Sequence, residues 1–437
     1  MPHFIAPAHF DALIRRLSGQ MPVVMLETQQ NGDALVAAGA RAILQCRDHT
    51  ATFHKASGAI TRKKQNPWHA LHDFRSEWSG QWMFGYLGYD LKNGLERLHS
   101  ANPDPVSAPD LWLMVPERVL RYAAGSGTLD VTEGPELPET WLAPPTNLCA
   151  TADAFRFEIE TGTETDRARY LDIIRQAQRA IFEGDYYEIN LSRQLSGTYE
   201  GDPFALYAAM RARGPVPFGA WLAFGDFRVC CASPERFLKR AGNRLISEPI
   251  KGTAPVAASD AENAQIAAAL LASEKNRAEN LMVVDLVRHD FSAVCAAGSV
   301  QVPELFAIKK FGTVHQMIST VTGELRSGVS SVEALAACFP MGSMTGAPKI
   351  SAMRDIEKLE TYRRGIYSGA IGYISPEDDF DFNVVIRTAI CRNGRLFYAT
   401  GGAITADSEP AEEWDETLVK SRALTQAAVS ATALQKR

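Results

Sequence analysis

Apolar residues recur at Tyr170, Ile173, Ile174, Ala177 and Ile181. That is the spacing of one helix face, and Gly184 stands where such a helix stops. Elsewhere the period is two. "MPVVMLET" and "RAILQC" read as strands, "YYEINLSRQL" alternates as a strand, and "GAWLAFGDFRVCCASPERFLKR" predicts a hairpin turning at "GD". "FGYLGYDL", Phe84 to Leu91, sets glycines between aromatics, which predicts close backbone approach at a sheet bend. The stretch from Ser259 to Val294 predicts one long helix or two abutting ones. "GAIGYIS" and "FNVVIRTAICRNGRLFYATGGAIT" supply further strands, with Asn393-Gly394 as a hairpin turn, and a helix closes the chain. Strand clusters and helix clusters do not alternate regularly, so the pattern predicts an α+β fold rather than a doubly wound parallel sheet. The proline-rich run "GPELPETWLAPPTN" predicts a boundary near Asn147, between an amino-terminal lobe, 1–147, and a larger region, 148–437.

The chain has 437 residues, enough for a large core, and a formal net charge of -6. Without a basic stripe, that balance argues against a nucleic-acid partner. The start, "MPHFIAPAHFDALIRRL", is not expected to be a secretion leader. Apolar runs such as "LMVVDLV" are broken by charge and fall far short of the ~20 residues a membrane helix needs, so no membrane partner is expected. Seven cysteines without a C-x-x-C pair predict reduced, mostly buried thiols and a cytoplasmic protein.

Candidate chemistry sits at a few polar positions, each with a plainer alternative. Lys251 in "EPIKGTAPV" is either a solvated turn lysine or a cation facing a site. Glu413, Glu416 and Lys420 share one helix face, which is either a solvated acidic face or a carboxylate pair for a hard cation. Glu279 in "EKNRAENLM" offers a second helix-borne acid. Glu235 in "SPERF" is either a strand-end ion pair with Arg236 or Arg240 or a functional acid. The glycine-rich runs "FPMGSMTGAPK" and "ATGGAIT" add anion-binding capacity. Arg387, read as alternating with apolar neighbours on a strand, either pairs with an acid or holds a substrate carboxylate.

In this order the motifs "YYEINLSRQL", "SPERF", "PIKGT", "RAENLMVVDLVRHD", "FPMGSMTGAPK", "SGAIGY", "IRTA" and "GGAIT", with the Glu413/Glu416/Lys420 helix, resemble the chorismate-utilising enzyme family over nearly the whole chain. "MLET" and "GYLGYD" also resemble that family's first lobe. The resemblance implies two large antiparallel sheets packed face to face with helices outside. It also implies a first lobe followed by a chorismate-binding catalytic region. It further implies Mg2+ held by Glu279 and Glu416, with Glu413 acting through water. Tyr367 and Arg387 would clamp the enolpyruvyl carboxylate, and Thr253, Gly401, Gly402 and Lys420 would line the rest of the site.

Within the family, a lysine in P-I-K-G-T points to the members that aminate chorismate to 4-amino-4-deoxychorismate, on the way to 4-aminobenzoate and folate. Glu235 would then be the acid that protonates the departing C4 hydroxyl. Lys251 would be the nucleophile at ring C2, with its pKa depressed, or else only a cation beside a carboxylate. Ammonia would come from a separate glutamine amidotransferase subunit. The runners-up are an anthranilate-forming component and a non-catalytic tryptophan-binding regulatory subunit, since "MLET" sits where the family carries its tryptophan-pocket motif. The chain departs from the family pattern at Glu188, where glutamine or lysine is usual, at Asn276, where an acid is usual, and at Gln316, where histidine is usual and His315 is displaced by one.

Overall fold

Two long strands, Asp33–Arg47 and Leu111–Ala123, pair antiparallel and belong to two sheets at once. Their pairing slips between Ala40 and Ala42, next to Gly39 at φ 70° and opposite Pro116, and there the sheet turns. The computed structural model describes residues 3–28, 32–143, 155–161, 166–214, 216–312 and 314–433. The expected boundary near Asn147 lies outside them.

From the turn, one sheet runs through Val23–Thr28, Phe218–Phe224, Phe227–Ser233, Thr388–Arg392, Arg395–Ile404 and Glu188–Glu200. The other runs through Met83–Leu87, Ala370–Ile374, Phe380–Asn383, Arg236–Ala241, Arg244–Glu248 and Val314–Glu324. Ile250–Pro255 pairs with the same last strand. Each of these pairings is antiparallel, as expected, and strands from before and after residue 147 interleave in both sheets.

Their inner faces meet in one apolar layer that includes Val24, Leu26, Phe84, Tyr86, Trp112, Leu222, Phe224, Val229, Ile371 and Phe397. Helices cover the outer faces. Phe10, Leu13, Phe204, Tyr207 and Leu424 close over the first sheet, and Trp68, Leu71, Phe74, Val284, Val287 and Leu335 over the second. A fully buried aromatic or aliphatic side chain is worth roughly 1.5–3 kcal/mol, so these layers dominate the stability.

Local chemistry fixes the helices. Asn66 and Asp202 accept from the second residue beyond them, each before a proline at the first helical position. Ser330 and Glu333 form a reciprocal capping box. Gly184, at φ 91°, ends Arg167–Glu183 as the pattern predicts. The stretch after Ser259 resolves into two helices, Asp260–Ala272 and Glu274–Ser292, because Ser273 takes extended backbone and caps the second through the Asn276 N–H.

Two expectations need correction. "YYEINLSRQL" does not alternate in burial. Residues Glu188 to Arg193 are all buried, because the strand is covered on both faces. Arg387 is not on a strand. It sits at φ 51° in the irregular link between Phe380–Asn383 and Thr388–Arg392, so its side chain leaves the two-residue repeat.

The glycine-aromatic run behaves as expected. A Cβ on Gly85, at φ 153°, would stand 2.0 Å from the Trp112 carbonyl oxygen. Gly85→Ala therefore combines backbone strain with a clash and should cost about 2–4 kcal/mol. Gly58→Ala, at φ 82° but with nothing within 4 Å of the added carbon, should cost only about 1 kcal/mol. Urea denaturation of both variants checks the difference; equal losses would mean that the close strand approach is not what Gly85 supports.

Candidate active site

The two sheets meet again where Glu188–Glu200 and Ile250–Pro255 face each other. Lys251 Nζ donates to Glu188 Oε1 at 2.8 Å across that gap, with the lysine side chain 10% exposed and the glutamate 2%. The solvated-turn alternative for Lys251 is thereby excluded. Gly252 makes the position possible. It takes φ 85°, and a Cβ there would lie 2.9 Å from Asn276 Cγ, so the Glu274–Ser292 helix packs directly onto the backbone beside Lys251.

Burial alone would push the Lys251 amine toward neutrality. Glu188, Glu279 and Glu235 outweigh it and hold its pKa above the ordinary lysine value. This corrects the expectation of a depressed pKa: without ligands the side chain is an ammonium. Glu235 shows the opposite balance. It is 5% exposed, and burial lifts its carboxyl to about 7, against a hydrogen bond from Ser343 and the fields of Lys251 and Arg387. Its plainer alternative also fails. Arg236 is engaged by Glu248 and Asp381, and Arg240 by Asp378. Glu235 is therefore a buried acid poised to carry a proton near neutrality.

Across the site, Glu413 is 3% exposed and accepts from Ser408 Oγ at 2.8 Å. Its Oε2 is buried with no hydrogen-bond partner among the described residues, and burial raises its pKa. Gly402 leaves room there: a Cβ on it would stand 3.1 Å from that oxygen and 3.7 Å from Glu416 Oε1. Burial works against the charge of Glu416, but Lys420 at 2.5 Å, with Lys275 and Lys251, holds its pKa low. Lys420 also donates to the Gly401 carbonyl at 2.7 Å. Glu279 is half-buried; burial raises its pKa against Lys251, and it feels the charge of Glu416. Among the described residues no three His, Cys, Asp or Glu side chains stand close enough to enclose a metal by themselves. An orphaned carboxylate oxygen, a space that a Cβ would fill and hard oxygen donors nevertheless suit a cation that keeps some of its water.

The Arg387 guanidinium makes no hydrogen bond or ion pair with the described residues, and burial lowers its pKa. Tyr367 is buried, which raises its phenol to about 12. Thr253 is exposed at the edge of its strand and pairs with Gln316. Gln316 is 1% exposed with its Oε1 unpartnered among the described residues, whereas His315 turns away to Asn263 at 3.0 Å. The one-residue displacement does reverse the face.

Three features went unnoticed in the sequence. Ser343 is the first. The second is a fully buried network beneath the site, in which Arg364 binds Glu360, the Met344 carbonyl and the Asn190 carbonyl, while Glu360 accepts from Ser192. The third is Arg193, which donates to Thr417 and lies 4.2 Å from the Trp414 ring centre. The i, i+4 spacing of Glu360 and Arg364 was the available signal. "MLET" lies elsewhere. Leu26, Glu27 and Thr28 line a cavity of about 400 Å³ with Pro217, Tyr373 and Asn383, and none of Lys251, Glu235 or Glu279 lines it.

A family model described as chorismate binding enzyme matches residues 21–426. The chain is 45% identical over 364 residues to an aminodeoxychorismate synthase of Streptomyces griseus, covering 78% of this chain and 49% of that protein, so it spans about half that relative's length. It is 34% identical over 342 residues to aminodeoxychorismate synthase component 1 of Escherichia coli, covering 77% and 74%. Among solved structures, anthranilate synthase component I of Streptococcus pneumoniae superposes with a TM-score of 0.79 at 27% identity, covering 90% of this chain and 92% of that one.

The raised Glu235 pKa has a stability consequence. The folded state holds a proton that the unfolded state releases above about 4.5, so stability is lost as pH rises from there through about 7. Glu235→Gln removes that dependence. Relative to the variant, the wild type should lose up to roughly 3 kcal/mol between pH 4.5 and 8, measured by denaturant unfolding at both pH values. A constant difference would mean that Glu235 titrates alike in the folded and unfolded chain.

Proposed function

The chain belongs to the family of chorismate binding enzymes, and on that premise we propose that it converts chorismate and ammonia to 4-amino-4-deoxychorismate and water. The observation that carries this reading is the buried Lys251 ammonium set between Glu188 and the proton-carrying Glu235. A lysine so placed supplies a nucleophile for the ring, and a carboxyl with a pKa of about 7 supplies the proton that the C4 hydroxyl needs to leave as water. The name of the Streptomyces griseus relative supports the same reading.

Mg2+ is the proposed cofactor, held by Glu279 and Glu416 directly and by Glu413 through water. When bound it would act as a Lewis acid, neutralising a substrate carboxylate and polarising the ring. The charge balance favours it: the carboxylates of Glu188, Glu279, Glu413 and Glu416 are matched by Lys251, Lys275, Lys420 and Arg387, so a dicarboxylate would leave the site in negative excess. The unpaired Arg387 guanidinium and Tyr367 would hold the enolpyruvyl carboxylate. Thr253, Gly401, Gly402 and Lys420 would line the remaining wall. Ammonia would come from a glutamine amidotransferase partner; the designation of the Escherichia coli relative as component 1 fits a second component. A cytoplasmic setting suits the buried free thiols of Cys46, Cys230, Cys231, Cys295, Cys338 and Cys391. Among the described residues no helix is long and apolar enough to cross a membrane.

The purified chain, given chorismate, Mg2+ and 15N-ammonium, should yield a product carrying nitrogen at C4 with the enolpyruvyl group retained, identified by mass spectrometry and NMR. Glutamine should replace ammonium only when an amidotransferase is added. Fluorescent anthranilate would move the assignment to the anthranilate-forming reaction, and unchanged chorismate would favour a binding role.

A further inference from the structure

We infer that Glu188 is a catalytic base, the group that takes the proton from Lys251 Nζ and frees the amine to attack. The inference rests on the reading of Lys251 as the nucleophile. An ammonium has no lone pair, so the proton must go somewhere before the C–N bond forms. Water offers only a slow route, because the Lys251 side chain is only 10% exposed. Glu235 and Glu279 reach the lysine through their fields, but among the described residues only Glu188 accepts a hydrogen bond from Nζ, at 2.8 Å. That distance lies within the reach required of a general base.

The environment of Glu188 leaves a place for the proton. Its Oε2 is buried and unpartnered among the described residues, so no other donor competes for the carboxylate. Moving one proton along the hydrogen bond turns two buried charges into two neutral groups and relieves the desolvation cost of both. The backbone fixes the pair. Glu188 opens its strand with its carbonyl against Gly346, where a Cβ would stand 2.1 Å from that oxygen, and Lys251 is held by the packing of Asn276 on Gly252.

The steps balance. Lys251 gives its proton to Glu188. The Nζ lone pair forms a bond to ring C2, both ring double bonds shift (C1=C2 to C1=C6, and C5=C6 to C4=C5), and the C4–O bond breaks, with the oxygen leaving as water on the Glu235 proton. Ammonia then bonds to C4, both double bonds shift back, and Nζ leaves C2 with the bonding pair. The new C4 ammonium returns a proton to Glu235, and Glu188 returns its proton to Lys251. The net change is chorismate plus ammonia to aminated product plus water.

The test is adduct formation on Lys251, followed by rapid quench and mass spectrometry with chorismate and Mg2+ but no ammonium, across pH. In Glu188→Gln, which keeps an acceptor oxygen but cannot take the proton, the rate at pH 7.5 should fall roughly 10²-fold or more. The chorismate KM should change little, and the rate should climb with pH as bulk base takes over. Glu188→Asp should retain part of the rate, and it decides the matter if the glutamine variant does not fold: wild-type adduct formation in Glu188→Asp across the pH range would then count against a proton-transfer role. A Glu188→Gln protein that forms the adduct as fast as the wild type, or faster, overturns the inference, because the carboxylate would then only hold the cation. No adduct in the wild type, with full turnover in Lys251→Ala, instead overturns the nucleophile reading itself.

Discussion

The ion pair between Lys251 and Glu188 is the constraint on which the site depends. It joins a strand of one sheet to a strand of the other, and both partners are almost removed from water. Such a pair gains little net stability, because the desolvation of two charges offsets their attraction. Loss of one partner, however, costs about 3–5 kcal/mol. The surrounding structure can be understood as what keeps both partners in place. Gly252 lets a helix approach from one side, Gly346 lets a loop pair with the backbone of Glu188 and Ile189 from the other, and the Glu360–Arg364 network locks the strand residues Asn190 and Ser192 behind it.

Charge then divides the site into working parts. Lys251 is held as a cation chiefly by Glu188 and Glu279, and Glu235 is driven toward the neutral acid by burial. Glu413 and Glu416 lie a few ångströms from where Gly402 lacks a side chain, and Arg387 has no ion pair among the described residues. A site with opposed tendencies in neighbouring acids can hold a proton at one place and a cation at another.

Much of the fold was legible in the sequence. The helical period from Tyr170 to Ile181, its glycine stop, the turns at "GD" and "NG", and the α+β class all follow from pattern and turn chemistry. Failures occurred where tertiary context replaces period. Glu188–Glu200 is buried on both faces, so its polar residues carry no outward signal, and Arg387 leaves the strand at a positive φ that no neighbouring glycine announces. The site was legible as residue types but not as electrostatics. Sequence order brought Lys251, Glu235, Glu279 and Glu416 into one list. It could not show that Glu188, far away in the chain, would sit against Lys251 and reverse the expected direction of its pKa. Ser343 and the Arg364 network were invisible for the same reason, since their partners are main-chain and side-chain atoms from distant segments.

The most direct test of this picture is the charge of one atom. Selective 15N labelling of lysine, with Lys251→Ala to assign the signal, allows the Lys251 Nζ resonance to be followed by NMR as ligand-free protein is titrated. It should stay in the ammonium position to a higher pH than the exposed lysines do, because Glu188, Glu279 and Glu235 together outweigh burial. A Lys251 signal that moves to the neutral-amine position below the exposed lysines would contradict the picture, and with it the role given to the carboxylates around that side chain.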